Sequence, residues 1–129
     1  MDFIWNYFQG ISIPPQLSKL QRLSFLSLSN AEFGGEVPLV LGNMSSLCHL
    51  DLSYNWEFKG GKFDVWARGL RSLEFFGMNK VNLTMGSEHW GEALNGLHNL
   101  TQIQLSSCGL SSNILDLSNL TSLSHLHLS

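Results

Sequence analysis

Residues 23–52 read LSFLSLSNAEFGGEVPLVLGNMSSLCHLDL, and their spacing decides the fold. Leu23, Leu26 and Leu28 recur 24 residues later as Leu47, Leu50 and Leu52. The same frame of one apolar residue, two variable ones, an apolar, a variable and an apolar returns three more times. Its copies are Leu73, Phe76, Met78; then Leu100, Ile103, Leu105; then Leu123, Leu126, Leu128. The starts at 23, 47, 73, 100 and 123 are 24, 26, 27 and 23 residues apart, inside the range of roughly 20–29 that marks a leucine-rich repeat. Met1 and Phe3 fill the last two apolar slots of an incomplete opening copy. Apolar-variable-apolar is a period-two pattern, so each frame is a short strand with its frame side chains on one face. Each repeat brings the chain back to the same place, so successive strands run parallel.

The frame extends past the strand. Asn6, Ala31, Asn55, Val81 and Cys108 each stand three residues after the last apolar slot. An Asn there satisfies neighbouring backbone groups with its amide and builds a polar ladder inside the solenoid. Cys108 takes that place as a small buried residue, while Ala31 and Val81 interrupt the ladder. A second apolar set on the return path (Leu17 and Leu20; Leu39, Leu41 and Met44) packs behind the strands. Residues 56–69 replace the regular return with a longer segment. There Asp64 is expected to cap a short helix through Val65, Trp66 and Ala67. Ser87 is expected to cap a second one through Glu88, His89 and Trp90, with Ala93, Leu94 and Leu97 on its apolar side.

Composition narrows the function classes. The chain has 129 residues, of which 24 are Leu and 18 Ser, with only 13% charged and a formal net charge of −3. No basic block gives a nucleic-acid partner an electrostatic footprint. No apolar run approaches the ~20 residues of a membrane span, so no membrane contact by this segment is expected. No cationic and apolar leader follows Met1. Ser, His and Asp occur without a nucleophile elbow or phosphate loop, so an enzyme is not expected, and neither is a cofactor. His125 and His127 share a strand face but lack a third ligand, so no metal site is expected. Cys48 and Cys108 belong to different repeats and are expected to be free thiols.

Equivalent variable positions stack in columns roughly 4.8 Å apart on the open face of such a sheet. One column is Phe25, His49, Phe75, Gln102, His125; the next is Asp2, Ser27, Asp51, Gly77, Gln104, His127; a third, at the strand end, is Trp5, Asn30, Tyr54, Lys80, Ser107. The candidate partner-binding residues are Trp5, Phe25, His49, Tyr54, Phe75 and Lys80, since clustered aromatics anchor peptide or protein partners. The simpler reading is that these rings merely cover an exposed sheet. Four Asn-x-Ser/Thr sequons, at Asn43, Asn82, Asn99 and Asn119, are candidate glycosylation sites, with Asn43 and Asn82 the more accessible.

The stretches LSKLQRLSFLSLSNAEFGGEVPLVLGNMSSLCHLDLSYN and LSNLTSLSHLHLS resemble plant-type leucine-rich repeats, with Gly35-Glu36-Val37-Pro38 in place of the family's Gly-x-Ile-Pro. The Trp-containing long repeat running into GLRSLEFFGMNKVNLT, followed by LTQIQLSSCGLSS, resembles the ectodomain of plant receptor-like proteins. That resemblance implies a right-handed α/β solenoid with a parallel concave sheet and short helices or 3-10 turns on the convex side. It divides the chain into repeats at 1–22 (partial), 23–46, 47–72, 73–99, 100–122 and 123–129 (partial), as a piece of a larger ectodomain. It also implies a non-catalytic receptor at the extracellular face of the plasma membrane, with a peptide or protein ligand and a co-receptor kinase, in defence or developmental signalling. A soluble apoplastic inhibitor of microbial cell-wall hydrolases shares the same repeat and is the alternative. A truncated gene product without independent function is a further one.

Overall fold

The computed structural model describes residues 13–55, 57–59, 63–81, 90–108 and 123–127. Its main sheet has five parallel strands in the order β1 (Phe25–Ser27), β3 (His49–Asp51), β5 (Phe75–Gly77), β6 (Gln102–Gln104) and β7 (His125–His127). The register is in step throughout. Phe25 faces His49, His49 faces Phe75, Phe75 faces Gln102, and Gln102 faces His125. The frame residues point the other way. Leu26, Leu28, Leu50, Leu52, Phe76, Met78 and Ile103 are all buried in one continuous core, so the period-two reading is correct.

Behind the sheet the chain returns through short helical turns. Pro15–Lys19 and Leu39–Asn43 are 3-10 turns that each follow a proline. A proline supplies the extended residue before such a turn without losing a needed N–H. The longer third repeat returns instead through α1 (Phe63–Trp66) and a 3-10 turn at Ala67–Gly69. This corrects one expectation: Asp64 is the second residue of α1 and does not stand at the position before it. The fourth return ends in α2 (Trp90–Asn95), with Ala93 and Leu94, and Leu97 just beyond, buried as expected. The Ser87 cap lies outside the described residues.

Adjacent returns approach closely. A Cβ built on Gly42 would stand 2.4 Å from the Trp66 carbonyl oxygen, so only glycine admits that contact. Trp66 is itself buried, with its indole edge-on to Phe76 at 6.3 Å between centroids.

A second, two-stranded parallel sheet was not anticipated. β2 (Gly34–Glu36) pairs in register with β4 (Glu57–Lys59). The long segment after Trp56 therefore begins with a strand that extends the turn of the preceding repeat.

Among the described residues, two side chains carry the polar ladder. The fully buried Asn55 accepts hydrogen bonds on Oδ1 from the N–H of Ala31 (3.2 Å) and Phe33 (3.0 Å) in the repeat before it. Its Nδ2 donates to the carbonyls of Leu28 (2.9 Å), Leu52 (2.9 Å) and Ser53 (3.3 Å). Cys108 occupies the equivalent place and donates through Sγ to the Met78 carbonyl at 3.1 Å. Burial pushes its thiol up to about 11. Cys48 and Cys108 are both free cysteines.

Candidate functional site

The open face of the main sheet is set by residues that the core does not use. In the first column the rings of Phe25, His49 and Phe75 stack face to face. Phe25 and His49 lie 4.3 Å apart between centroids at an interplanar angle of 20°, and His49 and Phe75 lie 4.2 Å apart at 5°. Parallel pairing forces this, because strand neighbours are about 4.8 Å apart and three planar side chains fill three successive positions. The stack leaves Phe25 exposed and His49 and Phe75 half-buried. Burial holds His49 below the ordinary imidazole value, and the Asp51 carboxylate partly opposes that shift. The stacked rings present a wall of edges to the solvent.

The second column adds polarity. Asp51 lies half-buried, and its Oδ1 accepts the Ser53 N–H at 3.0 Å. Its register partner Gly77 has no side chain to occupy the next place. Gln104 follows, with its Oε1 accepting from Asn79 Nδ2 at 3.0 Å. Asn79 in turn accepts the Ser106 N–H on Oδ1 at 2.8 Å and donates its own N–H to Ser53 Oγ at 2.9 Å. A connected set of amide and hydroxyl groups thereby fixes the surface across three repeats.

The third column is not a continuation of the strands. Asn30, Tyr54, Lys80 and Ser107 adopt left-handed backbone conformations, with φ of 55°, 61°, 60° and 57°. Such residues are uncommon outside glycine and Asn. At the first three of these positions a backbone bond joins two repeats. Asn30 N–H donates to the Ser53 carbonyl, Tyr54 N–H to Asn79 and Lys80 N–H to Ser106, at 2.9, 2.8 and 2.8 Å. Tyr54 and Lys80 are exposed along this rim. The structure thus brings Phe25, His49 and Phe75 into direct contact and sets Tyr54 and Lys80 beside one another at the strand ends. Trp5 lies outside the described residues. Asp51 and Gly77 were legible as members of a column, but nothing in the sequence marked their contact.

No protein-family model matches the chain. Relatives do. It is 35% identical over 133 residues to receptor-like protein EIX1 of Solanum lycopersicum, an alignment covering 99% of this chain and 12% of that protein. It is 44% identical over 138 residues to receptor-like protein 6 of Arabidopsis thaliana, covering 98% of this chain and 14% of that one. Receptor-like protein 41 of Arabidopsis thaliana is 36% identical over 87% of the chain. Over nearly its whole length the chain is similar to a stretch of the receptor-like proteins of plants. It spans about an eighth of the length of these relatives, 12% and 14% for the first two.

Among solved structures, the internalin InlF of Listeria monocytogenes superposes with a TM-score of 0.73 at 20% identity, over 95% of this chain and 35% of that one. Internalin C2 of the same organism gives 0.60 at 19% identity, over 93% of this chain and 57% of the other. These likenesses establish the leucine-rich-repeat solenoid. Plant receptor-like sequence and solenoid backbone therefore agree on the scaffold.

Two sequons fall on described residues. Asn43 ends a 3-10 turn behind the sheet and is exposed. Asn99 is also exposed, but its Nδ2 donates to the Arg71 carbonyl at 3.1 Å, and Thr101 Oγ1 of the same sequon donates to the Glu74 carbonyl at 3.1 Å. Asn82 and Asn119 lie outside the described residues. No helix among the described residues is long and apolar enough to cross a membrane.

Proposed function

We propose that the chain is a non-catalytic, ligand-binding portion of a plant cell-surface receptor-like protein, acting in defence or developmental signalling. Its open sheet face binds a peptide or protein, and a co-receptor kinase carries the signal across the membrane. The observation that supports this reading is the exposed stack of Phe25, His49 and Phe75, flanked by Tyr54 and Lys80 at the strand ends. Aromatic side chains supply large contact area at low entropic cost, and a rigid repeat backbone pre-organises them. Such a face recognises an extended partner lying along the solenoid axis, with specificity in the variable columns.

The test is retention of plant apoplastic peptides on the immobilised chain. Phe25→Ala with Phe75→Ala is expected to abolish retention, whereas Leu39→Ser behind the sheet is expected to leave it intact. Equal retention by both variants refutes the open-face reading. Expression through a plant secretory pathway tests the cell-surface assignment, with glycan expected on Asn43. An unmodified Asn43 after secretion counts against it.

A further inference from the structure

Among the described residues of the first two columns, one formal charge stands beside the aromatic stack. Phe25, His49, Phe75, Gln102 and His125 make up the first column, and Ser27, Asp51, Gly77 and Gln104 the described side chains of the second. Burial disfavours the charged form of His49, and Asp51 supplies the carboxylate of this surface. Its place depends on Gly77. A Cβ at Gly77 would sit 2.6 Å from Asp51 Oδ1, 3.1 Å from its Cγ and 3.1 Å from Phe75 Cε1. The missing side chain therefore leaves the space over Gly77 to the Asp51 carboxylate, and Phe75 Cε1 borders the same space.

The Ser53 N–H holds the carboxylate there through Oδ1 at 3.0 Å. An ionised carboxylate offers roughly four lone-pair sites, so this bond leaves most of its accepting capacity turned to the ligand. Glu74, exposed and immediately before Phe75, adds negative potential to the same strand. Lys80, past the strand end, opposes a cation at the rim and restricts it to the middle of the sheet.

We propose that Asp51, beside Phe75 and above Gly77, is the subsite for an arginine side chain of a peptide ligand whose neighbouring apolar residue lies against the Phe25–His49–Phe75 stack. This rests on the reading that the open face binds a peptide. Charge complementarity selects the cation. Arginine suits the site better than lysine, because a planar guanidinium pairs with a carboxylate as a fork.

The test uses two probes of the same shape, N-acetyl-Phe-Arg-amide and N-acetyl-Phe-citrulline-amide, titrated into the isotope-labelled full chain by NMR at low salt. The arginine peptide is expected to bind about fivefold more tightly, the scale of one exposed charge pair, and to shift the amides of β3 and β5. Asp51→Asn keeps an acceptor for the Ser53 N–H and is expected to equalise the two peptides. Gly77→Ala displaces the carboxylate without changing any charge and is expected to do the same. If both peptides bind this face equally to the unaltered chain, the arginine subsite is refuted and the open-face reading survives. If neither peptide perturbs the face, both fail together. A preference that persists in Asp51→Asn refutes Asp51 as its source.

Discussion

Replacing Asn55 with alanine tests how the repeats are joined. The side chain is fully buried and makes five hydrogen bonds. Alanine strands the N–H groups of Ala31 and Phe33 and the Leu28 carbonyl, each in the preceding repeat and each away from water. An unpaired buried group costs about 1–3 kcal/mol. Part of this is recovered because the amide itself no longer has to be desolvated. The expected loss is therefore about 4 kcal/mol, a large share of the roughly 5–15 kcal/mol that holds a domain folded. Urea unfolding followed by circular dichroism measures it. With a slope near 2 kcal/mol/M the midpoint falls by about 2 M. Asn55→Asp sharpens the test, because it keeps the acceptor but places a carboxylate against the carbonyls of Leu28, Leu52 and Ser53, and it is expected to destabilise at least as much. A loss below about 1 kcal/mol for alanine, the value of one ordinary hydrogen bond, refutes the view that this amide clamps adjacent repeats.

Three further outcomes are expected. Gly42→Ala, despite the better helical propensity of alanine, forces a Cβ to within 2.4 Å of the Trp66 carbonyl and is expected to cost about 1–3 kcal/mol, read from the same urea curves. His49 is expected to titrate below the ordinary imidazole value by NMR; Phe25→Ala exposes it and moves the midpoint up, whereas Asp51→Asn removes the opposing charge and moves it further down. Because the folded state binds this proton less well than the unfolded state, stability is complete above about pH 6.5 and declines as pH falls towards the folded midpoint, a slope that His49→Gln is expected to remove. Iodoacetamide at neutral pH is expected to modify the half-buried Cys48 and to spare the buried Cys108 until the chain is unfolded, since burial pushes the Cys108 thiol up to about 11; mass spectrometry of the native protein decides this.

The strands and their columns could be read from the sequence because they repeat a local pattern. Leu26, Leu50, Phe76 and Ile103 alternate with surface residues, and their spacing alone fixes which positions face one another. The place of Asn55 and Cys108 in the turn was legible for the same reason. The pairing of β2 with β4 was not, since Gly34 and Gly35 carry no side chains to show an alternation and Glu57–Lys59 sits in the irregular repeat. The left-handed turns at Tyr54 and Lys80 were hidden because no glycine marks them. The backbone bonds to the next repeat select that conformation, and those bonds involve residues 25 and 26 positions further along the chain.

The contact between Asp51 and the space above Gly77 was invisible for a deeper reason: it depends on an atom that is missing. A column read as Ser27, Asp51, Gly77, Gln104 gives glycine no chemistry of its own, whereas in the folded sheet its absent Cβ determines where the neighbouring carboxylate can lie. The same separation governs the whole molecule. Frame residues such as Leu50 and Phe76 are fully buried and determine stability, while Phe25, His49 and Asp51 stand on the opposite face, where substitution leaves the frame intact. Open-face variants are therefore expected to alter recognition with stability changes within about 1 kcal/mol, as surface substitutions do. Phe76→Ala is expected to cost about 3–5 kcal/mol. Comparable losses from Asp51→Asn and Phe76→Ala in urea unfolding contradict that division of labour.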